Sequence, residues 1–311
     1  MWELRHQQVL TPVHAALADI GVQPVLLKGT ALAYALYPDP MLRTRGDTDI
    51  IIPSAERSRV HDLLTTLGFE IDIGVSSQLI SHEATYTFTT VDMGMHIIDL
   101  HWRIHKSELL SRLFSYDELL ADAIRLPKLC PEALGLSPVH ALLLACMHRA
   151  THKQNPYYVD GIAYCSPDRL VWLYDIHLLA NSLSSANWHD FVRHAADGGL
   201  GATCLEGIGR ARACFDTCCP DLVLADLSAL GTQERPTIYL KASKLRQEWM
   251  DFEALDGFTS RLRYLRELFL PPAAYMRSKY LHAENDWLPL LYARRAFDGL
   301  AKRLKTSRQM P

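Results

Sequence analysis

RTRGDTDIII, residues 43–52, decides how this chain is read. On a strand, side chains at i and i+2 share a face, so Asp47 and Asp49 project together while Thr48, Ile50 and Ile52 pack behind them. Two carboxylates side by side repel. Unit charges ~4 Å apart cost on the order of 4 kcal/mol at an effective dielectric near 20, so such a pair needs a proton, an arginine or a divalent cation. Magnesium suits the position because it prefers hard oxygen ligands and commonly bridges carboxylates to a substrate's phosphates. The same spelling also serves an Asp pair at a turn that caps backbone N–H groups or pairs with Arg43 and Arg45.

Downstream, MHIIDLHW (95–102) alternates as a strand does and carries Asp99 between Ile98 and Leu100, sharing a face with Ile97 and His101. A carboxylate in so apolar a run is costly to bury without a partner. If this strand lies beside the one holding Asp47 and Asp49, three carboxylates converge, as two-metal phosphoryl or nucleotidyl transfer requires. Upstream, PVLLKG (24–29) followed by TALAYALYP (30–38) reads strand, turn, helix, with Lys28 and Gly29 at the turn. Free N–H groups and the helix dipole face an anion there. A Walker A loop needs a second glycine before its Gly-Lys, and this segment lacks one.

Around these segments, residues 2–20 read as a first helix stopped by Gly21, ERSRVHDLLTTLGF (56–69) as an amphipathic helix, and FEIDI (69–73) and ATYTFTTV (84–91) as strands. After LPKLCPEALGLSP (126–138) strand signals nearly vanish. Helices are expected over 138–152, 167–183, 186–197, 200–218, 237–250, 255–269 and 287–304. The division expected is therefore a mixed sheet with helices in 1–125 and a helical part in 126–311.

With 311 residues, 49% hydrophobic and 22% charged, the chain has ordinary globular composition, which excludes a disordered, collagen-like or disulfide-scaffold protein. The net charge of −3 lacks the excess of positive charge that coating a duplex demands. It is unevenly spread: residues 1–125 hold 10 basic and 16 acidic side chains, 126–260 hold 11 and 15, and 261–311 hold 11 and 4. The basic tail reads either as solvated helix faces or as an anion-facing surface. Seven cysteines without a C-x-x-C pair fit reduced thiols, with the Cys214, Cys218, Cys219 cluster expected to pack in a core. The charged N-terminus and the lack of an ~18-residue apolar run point to a cytoplasmic protein without membrane contact.

The ordered set LLKGTALAYALYPDPMLRTRGDTDIII (26–52) and IIDLHWRI (97–104) resembles the bacterial uncharacterised nucleotidyltransferase family of the polymerase-β-like nucleotidyltransferase superfamily. The likeness continues through LLLACMHRATH (142–152), RLVWLYDIHLL (169–179) and LRELFLPPAAYMRSKY (265–280). The resemblance implies an α+β fold, a polymerase-β-like nucleotidyltransferase mixed sheet with helices followed by an all-α C-terminal domain that closes over nucleotide and acceptor. It implies Asp47, Asp49 and Asp99 as the catalytic and metal-binding carboxylates, for Mg2+ or Mn2+, with a nucleoside triphosphate as donor. Gly29 and Thr30 stand where the superfamily has Gly-Ser or Gly-Gly, and the interval from Gly29 to Asp47 is longer than usual. Lys28, Gly29, Thr30, Arg43 and Arg45 are the candidates for phosphate contacts. The acceptor stays open among a small molecule, a peptide or protein side chain, and an RNA 3′ end, the last two favoured by the basic residues in 261–311.

His148 and His152 share a helix face at i, i+4, but Arg-Ala-Thr between them replaces the Glu of H-E-x-x-H. They and Asp175 are candidates for cleft contacts, with Asp175 expected to find its partner in one of these histidines. A zinc site completed by Asp175 or His177, and hence a His-dependent metallohydrolase, is one competing reading. A catalytically inactive nucleotide-binding or interaction module of the same fold is another.

Overall fold

The computed structural model describes residues 2–72, 82–154, 157–159, 162–164, 168–280 and 287–306. Seven strands form one mixed sheet: Val25–Leu26 (β1), Asp47–Ile51 (β2), Glu70–Ile71 (β3), Glu83–Thr90 (β4), Gly94–His101 (β5), Ile124–Arg125 (β6) and Leu134–Gly135 (β7). Their order is β3-β4-β5-β2-β1-β7-β6. Strand β2 runs parallel to β5 and β1 parallel to β7, and the other neighbours are antiparallel. Ile73, the end of the expected FEIDI strand, lies outside the described residues.

Trp2–Asp19 (α1), Lys28–Ala35 (α2) and Arg57–Thr66 (α3) accompany the sheet, with two short helices between β5 and β6, Glu108–Ser111 (α4) and Tyr116–Ala121 (α5). Helix α1 stops where Gly21 turns to φ +73°, so that Gly21 N–H and Val22 N–H reach back to the Ala18 and Leu17 carbonyls. The alternation of the strands divides the core. Leu26, Ile50, Ile52, Ile98 and Leu100 pack with Val9, Leu10, Val13 and Leu17 of α1 on one face. On the other face Val25, Leu27 and Ile51 share a core with Leu142 and Leu143 of the helical part. The two parts of the chain therefore bury one another.

The helical part runs Pro138–Gln154 (α6), Leu170–Ser182 (α7), Ser185–Asp197 (α8), Gly201–Phe215 (α9), Asp221–Ala229 (α10), Arg235–Lys241 (α11), Lys244–Ala254 (α12), Gly257–Phe269 (α13), Ala273–Lys279 (α14) and Leu288–Thr306 (α15). Several expectations are corrected. Strands β6 and β7 carry the sheet to Gly135, past residue 125, because two-residue strands leave no periodic trace. A hairpin of Tyr157–Val159 (β8) and Ile162–Tyr164 (β9) interrupts the helices. The helix expected over 237–250 breaks at Ala242–Ser243 into α11 and α12, and the one over 200–218 ends at Phe215 with Asp216 left-handed. Of the cysteine cluster, only Cys219 is buried. Among the described residues no helix is long and apolar enough to cross a membrane.

Candidate active site

The parallel pairing of β2 with β5 sets Asp49 directly opposite Asp99, with Asp47 opposite Ile97. All three carboxylates therefore stand on one face of the sheet, the face turned to the helical part. They line a cleft of about 980 Å³ whose walls are Lys28 and Gly29 at the start of α2, His148 and His152 on α6, Arg169 and Trp172 before and on α7, and residues of α11 to α13. That volume lies in the range that encloses a nucleotide-sized ligand.

Each carboxylate is held differently. Burial alone would raise Asp49, but the Lys28 ammonium at 2.6 Å and His101 Nε2 at 2.9 Å, both on Oδ1, outweigh it and hold the group well below the usual carboxylate range. Asp47 has no such pair of hydrogen-bond partners: burial, then repulsion from Asp49 and Asp99, pushes it up to about 6. Asp99 is also raised, chiefly by burial, although the Thr85 hydroxyl on β4 donates to its Oδ1 at 2.7 Å. Lys28 has φ +47°, a left-handed conformation that a side chain adopts only at a cost of order 1–3 kcal/mol. Its ammonium is raised despite burial, because Asp49, Asp47 and Glu83 all face it.

Glu83, His101 and Lys106 complete the cluster and are absent from the sequence candidates. His101 lies between Asp49 and Glu83, 3.5 Å from the latter, and Lys106 Nζ is 2.5 Å from Glu83 Oε1. Their signal was available: EATYTFTT alternates, so Glu83 and Thr85 share the face that opposes His101 and Asp99 in the antiparallel register.

Several expected phosphate contacts also serve as internal fastenings. Thr30 is buried and bonds Thr48 Oγ1 at 3.1 Å and the Asp47 carbonyl at 3.3 Å. Arg45, its side chain 2% exposed, pairs with Glu3 of α1 at 2.6 Å and donates to Thr30 Oγ1 and the Pro40 and Arg43 carbonyls. Arg43 grips Asp175 of α7 through Nε at 2.9 Å and Nη2 at 2.7 Å, and Tyr37 donates to the same carboxylate at 2.8 Å. Asp175 is thus partnered by Arg43 and Tyr37 and not by a histidine. The long interval between Gly29 and Asp47 supplies these fastenings, tying the sheet to α1 and to α7. Lys28, Gly29, Arg43 and Arg45 all line the cleft, as do Lys106 and Lys244.

His148 and His152 reach the cleft with ring centroids 4.4 Å apart, both against Trp172. Burial and the Lys28 charge hold His148 well below its ordinary value, and the same causes bring His152 to about 4. Neither Asp175 nor His177 joins them: His177 bonds Thr217 Oγ1 at 3.0 Å. The competing zinc reading therefore lacks its further ligands. From the basic tail, Tyr264 and Leu268 of α13 reach the cleft, while 281–286 and 307–311 lie outside the described residues.

The sequence profile of the family described as "uncharacterised nucleotidyltransferase" matches residues 3–216, more than half of the chain. The chain belongs to this family. The match runs from α1 to the end of α9, so the nucleotidyltransferase region includes the whole sheet, α6 and α7, while the cleft walls from α11, α12 and α13 lie beyond it. No curated protein matches the chain. Among solved structures it is similar to the crystal structure of an antigenic nucleotidyltransferase-like protein from Paracoccidioides brasiliensis, at 14% identity over 64% of this chain and 92% of that one, with a TM-score of 0.36.

Proposed function

We propose that the protein is a divalent-cation-dependent nucleotidyltransferase that moves a nucleoside monophosphate from a nucleoside triphosphate to an acceptor. One observation carries this reading: Asp49 and Asp99 face each other across a parallel strand pair, with Asp47 beside them, at the floor of a nucleotide-sized cleft. The residues fit magnesium, and manganese by the same chemistry, since three hard oxygen donors line one cleft on one face of the sheet, and burial, with the neighbouring carboxylates, raises Asp47 and Asp99. Bound there, the metal supplies charge neutralisation and a lower pKa for the acceptor hydroxyl.

The chain's own groups do the rest. Lys28, Lys106 and Lys244 offer ammonium groups for the donor's phosphates, with Lys28 within reach of both substrate and Asp49. Asp99, oriented by Thr85, takes the acceptor's proton. The acceptor oxygen bonds to the α-phosphorus, the bond from that phosphorus to the α–β bridging oxygen breaks, and pyrophosphate leaves with the electron pair. An RNA end or a peptide side chain would enter past α13, where the basic tail begins.

The test is transfer of labelled nucleotide from each NTP to any component of a cell extract with magnesium. We expect transfer by the native protein and loss to background in Asp47→Asn, Asp49→Asn and Asp99→Asn. Transfer undiminished in Asp47→Asn and Asp49→Asn would sink the site. If no NTP is transferred and none stabilises the native protein, the fold serves as a non-catalytic module instead.

A further inference from the structure

Away from the cleft, three side chains from three helices converge. Glu118 of α5 places Oε1 3.3 Å from His140 Nε2 of α6 and 3.5 Å from His194 Nδ1 of α8, and the three ligand atoms all lie within 4.8 Å of one another. A tetrahedral ion with bonds of about 2.0–2.1 Å holds its ligand atoms about 3.4 Å apart, so both Glu118 edges already have the required length.

The surroundings fix each ligand. Glu118 is the third residue of a capping box: its N–H bonds Ser115 Oγ at 3.1 Å, and its Oε2 accepts from Ser115 N–H at 3.4 Å, which turns Oε1 toward the histidines. His140 is fully buried, with Ser137 Oγ 3.0 Å from Nδ1, the kind of outer contact that orients a ligating imidazole. Phe114 sets its edge against both rings, 5.3 and 6.3 Å away, and walls one side. Arg193, an exposed side chain, donates to His194 Nε2 at 3.1 Å and can swing clear from its surface position. Asp122, one turn beyond Glu118, lies 3.9 Å from His140 Nδ1, the nitrogen that Ser137 holds and not the one turned to Glu118.

We propose that Glu118, His140 and His194 form a binding site for one transition-metal ion, zinc by its ligand set, with water as the fourth ligand. Two imidazoles and one carboxylate favour zinc over magnesium, which takes oxygen ligands. The ion would fasten α5, the helix that leads into β6 of the sheet, to α6 and α8. Its place is remote from Asp47, Asp49 and Asp99, so this site stands or falls independently of nucleotidyl transfer.

The experiment uses full-length protein stripped with chelator, then titrated with zinc in excess magnesium, with metal content and thermal unfolding as readouts. We expect one zinc per chain and a rise in Tm by mass action, with cobalt giving the absorption of a tetrahedral site. Zinc affinity should fall by at least about tenfold in His194→Gln and in Glu118→Gln, the second of which keeps the capping box. It should be unchanged in Asp49→Asn. Zinc uptake that survives in both ligand variants, that disappears in Asp49→Asn, or that is absent from the folded native protein would overturn the site and leave a hydrogen-bonded cluster.

Discussion

Arg45 and Lys28 both line the cleft and are held in opposite ways. Arg45 is enclosed by Glu3, Thr30 and two carbonyls, with the rings of Trp2 and Tyr34 at 5.3 and 5.6 Å, so it fastens α1 to the sheet. Lys28 opens on the cleft. Arg45→Ala takes the arginine from the part-buried Glu3 carboxylate, which keeps the Tyr34 hydroxyl, and a loss of about 1.5–3 kcal/mol is expected. Stabilisation of the variant by NTP with magnesium should match that of the native protein at equal folded fraction. A variant as stable as the native protein but weaker for nucleotide would return Arg45 to the phosphate site. The contrast also shows what was legible at this scale. The pairing of Asp47 with Asp49, and the face of Asp99, are local consequences of strand alternation and can be read from ten residues at a time. Arg43 meets Asp175 across 132 positions, and nothing local to either names the other.

Helices α6, α7 and α9 pack so closely that one glycine sets their spacing. A Cβ on Gly207 of α9 would stand 2.9 Å from Cys146 Sγ of α6 and 3.6 Å from Ile176 Cδ1 of α7, whereas one on Gly209 meets nothing within 4 Å. Alanine is favoured over glycine within a helix by up to about 1 kcal/mol, while overpacking costs about 1–3 kcal/mol. Gly207→Ala should therefore lower stability by about 1–2 kcal/mol and Gly209→Ala raise it by a few tenths to 1 kcal/mol, read as opposite shifts of the urea midpoint. Equal shifts in both would mean that helix propensity, and not the α6–α9 contact, decides. Long, periodic elements such as α1, α3, α6 and α8 were legible because their apolar spacing persists over several turns. The strands β6 and β7, the hairpin β8–β9 and the break between α11 and α12 were not, since each is fixed by tertiary pairing over two or three residues.

Across the whole molecule, acid should act through histidines before it acts through most carboxylates. His6 is buried between Trp2 and His96, bonds Thr48, and is pushed down to about 3 by burial, Arg45 and His96. His14 is buried in the α1 face with Nδ1 unpartnered among the described residues, and burial brings it to about 4. His105 and His152 in the cleft come to about 3 and about 4, again with burial the first cause. Below pH 6.5 the unfolded chain takes protons on these residues that the folded chain refuses, so the stability they confer is full above 6.5 and is lost as pH falls toward 4 to 3. At 1.36 kcal/mol per unit, His14 alone accounts for at most about 3 kcal/mol. Asp47 opposes this, because its folded value near 6 lies above its unfolded one and its burial cost is relieved as pH drops through 6. Asp99 and Asp251 are raised too and act the same way, while Asp49 and Glu108 are lowered and act with the histidines, so the loss on acidification stands, and magnesium at the site would remove the opposition of Asp47 and Asp99. The urea midpoint should therefore fall steadily from pH 7 to pH 4.5 at constant m, more steeply with magnesium present. His14→Leu, which fills an apolar site with an apolar side chain, should match or exceed the native protein at pH 7.5 and show a shallower decline. A midpoint that does not move between pH 7 and 5, or a decline as steep in His14→Leu as in the native chain, would show that these imidazoles take up their protons without unfolding the protein.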